Sequence, residues 1–141
     1  MTASIGINGF GRMGRLGLRA GWGRPGIRFT RVNEIAADAH GAAHLLQFAS
    51  VHGCWDRPCS GEGATVHVDG QQLAYTRNPT IDATDWSDCD IVIEATGRHH
   101  KTPGALQAYF AQGVRKVIVA APTDGALNIV YGVNHDRYDP D

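Results

Sequence analysis

Apolar and polar positions alternate in short, well-separated blocks. Ser4 to Asn8, with Ile5 and Ile7 two apart, has the period of a strand. Arg12 to Ala20 has helical character and is stopped by Gly21, Gly23, Pro25 and Gly26. Ile27 to Asn33 is a second apolar run. From Ala39 to Phe48, Ala42, Ala43, Leu45, Leu46 and Phe48 recur at helical spacing behind Asp38, a residue suited to capping a helix start. Strand, helix, strand, helix is the first half of a doubly wound, mostly parallel α/β sheet.

From Val51 to Gly63, Gly53, Pro58, Gly61 and Gly63 break the periodicity, which predicts a loop. Ala64–Val68 and Gln71–Tyr75 alternate about Asp69-Gly70, a two-residue hairpin signal, and predict a small β-hairpin insertion rather than a new domain. Ile91-Val92-Ile93 is continuously apolar, as in a strand covered on both faces. Pro103 to Gln112 predicts a helix with Leu106, Ala108, Tyr109 and Phe110 inward and Gly113 as its stop. Val117 to Ala120 predicts a strand, and Asn128 to Val133 one more. No internal repeat or low-complexity tract interrupts this single domain over 1–141.

The candidate chemistry sits between the first strand and the first helix. Gly9-x-Gly11-x-x-Gly14 in that context is the dinucleotide-binding fingerprint of a Rossmann-type fold. One glycine turns the chain off the strand, the second lets backbone approach a diphosphate, and the third lets helix and strand pack. The helix amides and dipole then face the anion. Glu34 follows Gly14 by twenty residues, at the tip of the second strand, where a carboxylate accepts from an adenosine ribose hydroxyl. A 2′-phosphate would be repelled there, so the predicted cofactor is NAD rather than NADP.

Composition narrows the classes. Hydrophobic residues make up 43% and charged residues 19% of 141, a folded rather than disordered balance. A net charge of −1 with no basic run predicts neither a nucleic-acid nor a membrane partner. Met1-Thr2-Ala3-Ser4 has no signal-peptide character, and three cysteines without a C-x-x-C fit a reducing compartment, so a cytoplasmic location is expected.

Ile7-Asn8-Gly9-Phe10-Gly11-Arg12-Met13-Gly14-Arg15 with Val32-Asn33-Glu34 resembles the opening of the glyceraldehyde-3-phosphate dehydrogenases. Ser50-Val51-His52-Gly53, Arg77-Asn78-Pro79, Glu94-Ala95-Thr96-Gly97, Ala121-Pro122 and Tyr131-Gly132-Val133-Asn134-His135 agree in the same order. Asn33-Glu34-Ile35, Ala43-His44-Leu45-Leu46 and Ala126-Leu127-Asn128-Ile129-Val130 resemble the branch associated with arsenic resistance, which implies arsenate in place of phosphate. The resemblance implies an NAD-binding domain with cofactor contacts at Asn8, Gly9, Phe10, Gly11, Arg12, Met13, Asn33, Glu34, Arg77, Thr96, Gly97 and Ala120. Thr96 and Gly97 would lie beside the nicotinamide and Arg77 near the adenine. It also implies homotetrameric assembly in the family.

The family's reaction uses a cysteine in a Ser-Cys-Thr-Thr-Asn stretch that is not in this sequence, so the catalytic domain is expected to be absent and no catalytic residue is assigned. Cys54 and Cys59 read as loop thiols and Cys89 as a small apolar filler. His40-x-x-x-His44 has no third ligand in view, and no metal site is predicted. Ala49, Cys54, Ala120 and the Arg98-His99 pair depart from the family pattern. Two functions remain open: the NAD-binding part of such an oxidoreductase, and a truncated, non-catalytic module that binds NAD weakly or docks to an intact subunit.

Overall fold

The computed structural model describes residues 1–102 and 104–141. β1 (Ala3–Asn8), α1 (Arg12–Gly21), β2 (Ile27–Asn33) and α2 (Ala39–Gln47) fall within a residue of their predicted bounds. Asp38 caps α2, its carboxylate accepting from the Gly41 N–H at 2.8 Å. After α2 come the short strands β3 (Phe48–Ala49) and β4 (Gly53–Cys54), then β5 (Cys59–Glu62), β6 (Thr65–Val68), β7 (Gln71–Thr76), β8 (Ile91–Glu94), α3 (Gln107–Phe110) and β9 (Lys116–Val119).

Among the described residues seven strands form one sheet in the order β5-β6-β7-β2-β1-β8-β9, with β7, β2, β1, β8 and β9 parallel. The chain winds outward from β1 to β2, then returns to place β8 on the other side of β1. The sheet therefore reverses its winding beside β1, and in open α/β sheets the ligand crevice lies at that switch, outside the carboxyl ends of the strands. This is the predicted Rossmann-type architecture.

Each face of the sheet has its own core. Ile5 and Ile7 point to one side with Leu18, Phe29, Val32, Ala42, Ala43 and Leu46. On the other side, Trp86, Cys89, Val92, Tyr109 and Val114 pack together. Gly6 faces this second core, and a Cβ there would sit 2.7 Å from Cys89 Sγ and 2.9 Å from the Trp86 ring. Cys89 thus fills space against the strand, as its apolar setting predicts. Burying each large side chain here contributes roughly 1.5–3 kcal/mol.

The hairpin forms as predicted, with Asp69 at φ 53° and Gly70 at φ 81°. Both central residues at positive φ match the twist of paired strands. The hairpin is part of the main sheet, since β7 pairs with β2.

Three expectations are corrected. The stretch from Val51 to Gly63 is not wholly loop: β4 pairs with β3, and β5 pairs antiparallel with β6. Gly61 hides this strand from a propensity reading because it lets β5 approach α2 so closely that a Cβ would lie 1.9 Å from the Ala39 carbonyl oxygen. The helix predicted over Pro103 to Gln112 is regular only from Gln107 to Phe110, flanked by turns, and Pro103 lies outside the described residues. Asn128 to Val133 is not a strand. Asn134 turns that segment back on itself, its Oδ1 accepting from Val130 N–H at 2.7 Å and its Nδ2 donating to the Asn128 carbonyl at 3.0 Å. A cavity of about 880 Å³ between these residues and β9 leaves Ile118 55% exposed.

Candidate functional site

The last residues of four parallel strands are polar and lie in one row. Glu94 of β8 is in register with Asn8 of β1, Asn8 with Asn33 of β2, and Asn33 with Thr76 of β7. Asn8, Asn33 and Glu94 are buried. Asn33 Nδ2 donates to Asn8 Oδ1 at 2.9 Å and to the Asn78 carbonyl at 2.9 Å. Its Oδ1 accepts from Thr76 Oγ1 at 2.7 Å and from Asn78 N–H at 2.9 Å. Asn8 Nδ2 donates to the Tyr109 hydroxyl at 2.7 Å, and that hydroxyl donates to Glu94 Oε2. Thr96 donates its N–H and its Oγ1–H to Glu94 Oε1, at 2.9 Å and 2.5 Å. Buried polar groups need such partners, and the network supplies them without a cation.

One residue beyond this row the chain turns at each strand. Gly9 has φ +92°, a conformation that costs a side-chain-bearing residue, and a Cβ would lie 2.5 Å from the Ala95 carbonyl carbon and the Thr96 nitrogen. The turns after β1 and β8 therefore pack backbone to backbone, joined by Ala95 N–H donating to the Asn8 carbonyl at 2.7 Å. At Gly14 a Cβ would lie 2.1 Å from the Gly9 carbonyl oxygen, so α1 packs on the turn itself. Gly11 is the opposite case: nothing lies within 4 Å of its missing side chain. Two glycines are filled by protein, and one opens onto the crevice.

Gly11 is also the N-cap of α1. It supplies no side-chain acceptor, and the first turn carries no acid. The first intrahelical bond is Arg15 N–H to the Gly11 carbonyl at 3.1 Å, which leaves the amides of Arg12 and Met13 directed outward, as at any helix start. Arg12 and Met13 are exposed, whereas the Phe10 ring is buried in the core. Arg15 Nη1 braces the turn by donating to the Phe10 carbonyl at 3.0 Å.

Glu34 bends over the glycine turn. Oε2 accepts from Phe10 N–H at 2.7 Å, and Oε1 accepts from Ile35 N–H at 2.7 Å and Ala36 N–H at 3.0 Å. Arg77 stands across from it, Nη2 donating to the Ile35 carbonyl at 3.2 Å, beside a cavity of about 570 Å³ lined by Asp38, His40 and Glu62. Gly97 is exposed, Thr96 half-buried, and Ala120 lies just past β9, its N–H donating to the Glu94 carbonyl at 2.9 Å.

Of the sequence-assigned residues, Gly9, Phe10, Gly11, Arg12, Met13, Glu34, Thr96 and Gly97 ring the carboxyl ends of β1, β2 and β8. Arg77 and Ala120 flank them on opposite sides. Asn8 and Asn33 stand beneath, their side chains used inside the protein rather than offered to the crevice. The sequence reading missed Glu94 and Tyr109 as members of the network. A signal was present: the runs ending at Asn8, Asn33, Thr76 and Glu94 each stop on a polar residue.

No cysteine reaches this place. Cys54 is exposed on β4, while burial pushes Cys59 up to about 11 and Cys89, in the second core, up to about 12. Among the described residues no helix is long and apolar enough to cross a membrane.

The residues fit a dinucleotide: a glycine turn filled by protein at Gly9 and Gly14 and open at Gly11, outward amides at a helix start, and a carboxylate at the next strand tip. Comparison with known proteins agrees. Residues 3–102 match the family model described as glyceraldehyde 3-phosphate dehydrogenase, NAD binding domain. The whole chain is 49% identical to glyceraldehyde-3-phosphate dehydrogenase 3 of Nostoc sp. over 144 residues, covering 42% of that protein. It is 39% identical over 143 residues to the glyceraldehyde-3-phosphate dehydrogenase of Geobacillus stearothermophilus and 38% over 142 residues to glyceraldehyde-3-phosphate dehydrogenase 1 of Bacillus subtilis. In both cases 99% of this chain covers 42% of the relative. With an open glycine cradle, an acid at the second strand tip and a family match over most of its length, the chain belongs to the NAD-binding domains of the glyceraldehyde-3-phosphate dehydrogenases.

Proposed function

We propose that this chain holds NAD across the carboxyl ends of β1, β2 and β8 as the cofactor-binding domain, residues 1–141, of a glyceraldehyde-3-phosphate dehydrogenase-like oxidoreductase. The observation that carries the proposal is the contrast among the three glycines, because only Gly11 leaves an unfilled approach to the backbone. The diphosphate lies over Gly11 against the Arg12 and Met13 amides. Glu34 keeps a lone pair for the adenosine ribose, since a carboxylate has about four acceptor sites and three are taken. Arg77 flanks the adenine, and Thr96, Gly97 and Ala120 flank the nicotinamide. Asn8 and Asn33 act from below by holding the strand ends.

Bound NAD supplies a hydride acceptor. The thiol that attacks the aldehyde is not one of Cys54, Cys59 or Cys89, so the oxidation, with phosphate or arsenate as acceptor, needs groups beyond those of this chain. Calorimetric titration tests the core of the reading: NAD binds and NADP binds at least about tenfold more weakly, a difference of about 1.4 kcal/mol. Absence of heat at millimolar NAD refutes it.

A second reading, that the domain also docks to an intact subunit, is favoured by the apolar face around Ile118, Phe110, Leu127 and Val130, all at least 42% exposed. Light scattering of the chain mixed with a complete relative tests it, and two unshifted masses refute it.

A further inference from the structure

We propose that Tyr109 is a positioning residue for the cofactor site, tying the glycine turn after β1 to the turn after β8 through its hydroxyl. This rests on the NAD reading above. The ring is fully buried, edge-on to Trp86 at 5.6 Å between centroids. Its position is therefore fixed by packing, and its hydroxyl is fixed with it.

That hydroxyl makes two bonds, one to each strand end. It accepts from Asn8 Nδ2 at 2.7 Å and donates to Glu94 Oε2. The direct bond between those side chains, Asn8 Nδ2 to Glu94 Oε2, is long at 3.4 Å, so Tyr109 is the main side-chain link. Asn8 is followed at once by Gly9. Glu94 holds Thr96 through both its N–H and its hydroxyl, and the Gly9 and Ala95–Thr96 backbones touch without room for a methyl group. A displacement of Glu94 is thus transmitted to the turn assigned to the nicotinamide, and a displacement of Asn8 to the turn assigned to the diphosphate. Glu34 and Arg77 share no hydrogen bond with Tyr109; the adenosine side is tied to it only at one remove, through Asn33 Nδ2 donating to Asn8 Oδ1 and Phe10 N–H donating to Glu34 Oε2, so it feels the loss of the hydroxyl less than the two turns do.

The test is the split between two ligands. Wild type and Tyr109→Phe are titrated with NAD and with adenosine well below their melting temperatures, adenosine binding being followed by NMR. Loss of the hydroxyl weakens NAD by about tenfold or more, the usual scale for losing an orienting partner, while adenosine affinity changes by less than about twofold. Glu94→Gln keeps the bulk but reverses the donor at Oε2, and shows the same pattern if Tyr109→Phe does not fold. Equal NAD affinity in wild type and both variants overturns the proposal, as does an equal loss for NAD and adenosine, the mark of general destabilisation. If wild type itself binds no NAD, the cofactor reading fails first and this proposal with it.

Discussion

Gly11 and Gly14 are three residues apart, and the structure assigns them opposite failures. Gly11 has φ −72° and ψ −159°, open to any residue, and its added Cβ meets nothing. Gly11→Ala gains roughly 0.4–1 kcal/mol from a stiffer unfolded chain and loses a similar amount as a poorer helix cap. Its stability should stay within about 1 kcal/mol of wild type. The methyl group, however, occupies the approach of the diphosphate, and NAD should weaken by about ten- to a hundredfold, or about 1.4–2.7 kcal/mol. Gly14→Ala places a Cβ 2.1 Å from the Gly9 carbonyl oxygen, where backbone cannot yield cheaply. Overpacking of this kind costs about 1–3 kcal/mol, and at roughly 3–5 °C per kcal/mol for this size the melting temperature should fall by about 3–15 °C. Thermal melts by circular dichroism and NAD calorimetry on both variants read the two effects separately. A Gly11→Ala chain that keeps full NAD affinity refutes the placement of the diphosphate. A Gly14→Ala chain that melts with wild type refutes the packing of α1 on the turn.

Glu34→Gln turns an acceptor into a donor facing the Phe10 N–H, so it should lose about 1–3 kcal/mol of stability in urea unfolding and narrow the preference for NAD over NADP. An unchanged urea midpoint would count against that bond. Asp38→Ala removes the α2 cap and should cost about 1 kcal/mol by the same measurement. Burial raises the thiols of Cys59 to about 11 and Cys89 to about 12, and the Tyr75 hydroxyl to about 12. Because these protons are held more tightly in the folded chain, stability is full below about pH 9 and falls as pH climbs toward 12. Denaturation midpoints equal at pH 8 and 10.5 would contradict this. Iodoacetamide at pH 8 should label exposed Cys54 first, with peptide mass spectrometry as the readout.

Much of the architecture could be read from spacing alone. β1, α1, β2 and α2 carry unbroken apolar periods with stop signals at their ends, and Asp69-Gly70 specifies its turn by backbone chemistry. What escaped depended on partners distant in sequence or on local side-chain bonds that propensity does not weigh. β5 looks like loop because its value lies in lying close to α2, which favours glycine over strand formers. Asn128 to Val133 has strand composition, but the Asn128 carbonyl and the Val130 amide are taken by the Asn134 side chain, so local side-chain bonds prevail over propensity. The glycine motif and Glu34 could be found from order and separation. For Glu94 the polar end of its apolar run was the only hint, since its donors come from residues as far apart in sequence as Asn8, Thr96 and Tyr109.

The row formed by Glu94, Asn8, Asn33 and Thr76 also bears on how the sheet chooses its alignment. Parallel strands made of similar aliphatic residues could slide by two positions and still hide their oily sides. Here such a slide would carry the Glu94 carboxylate opposite Gly6, with its donors Asn8 and Tyr109 left behind. Leaving a charge stranded in that way is strongly unfavourable, so the mispaired sheet is penalised at its very end, where the correct one is fastened.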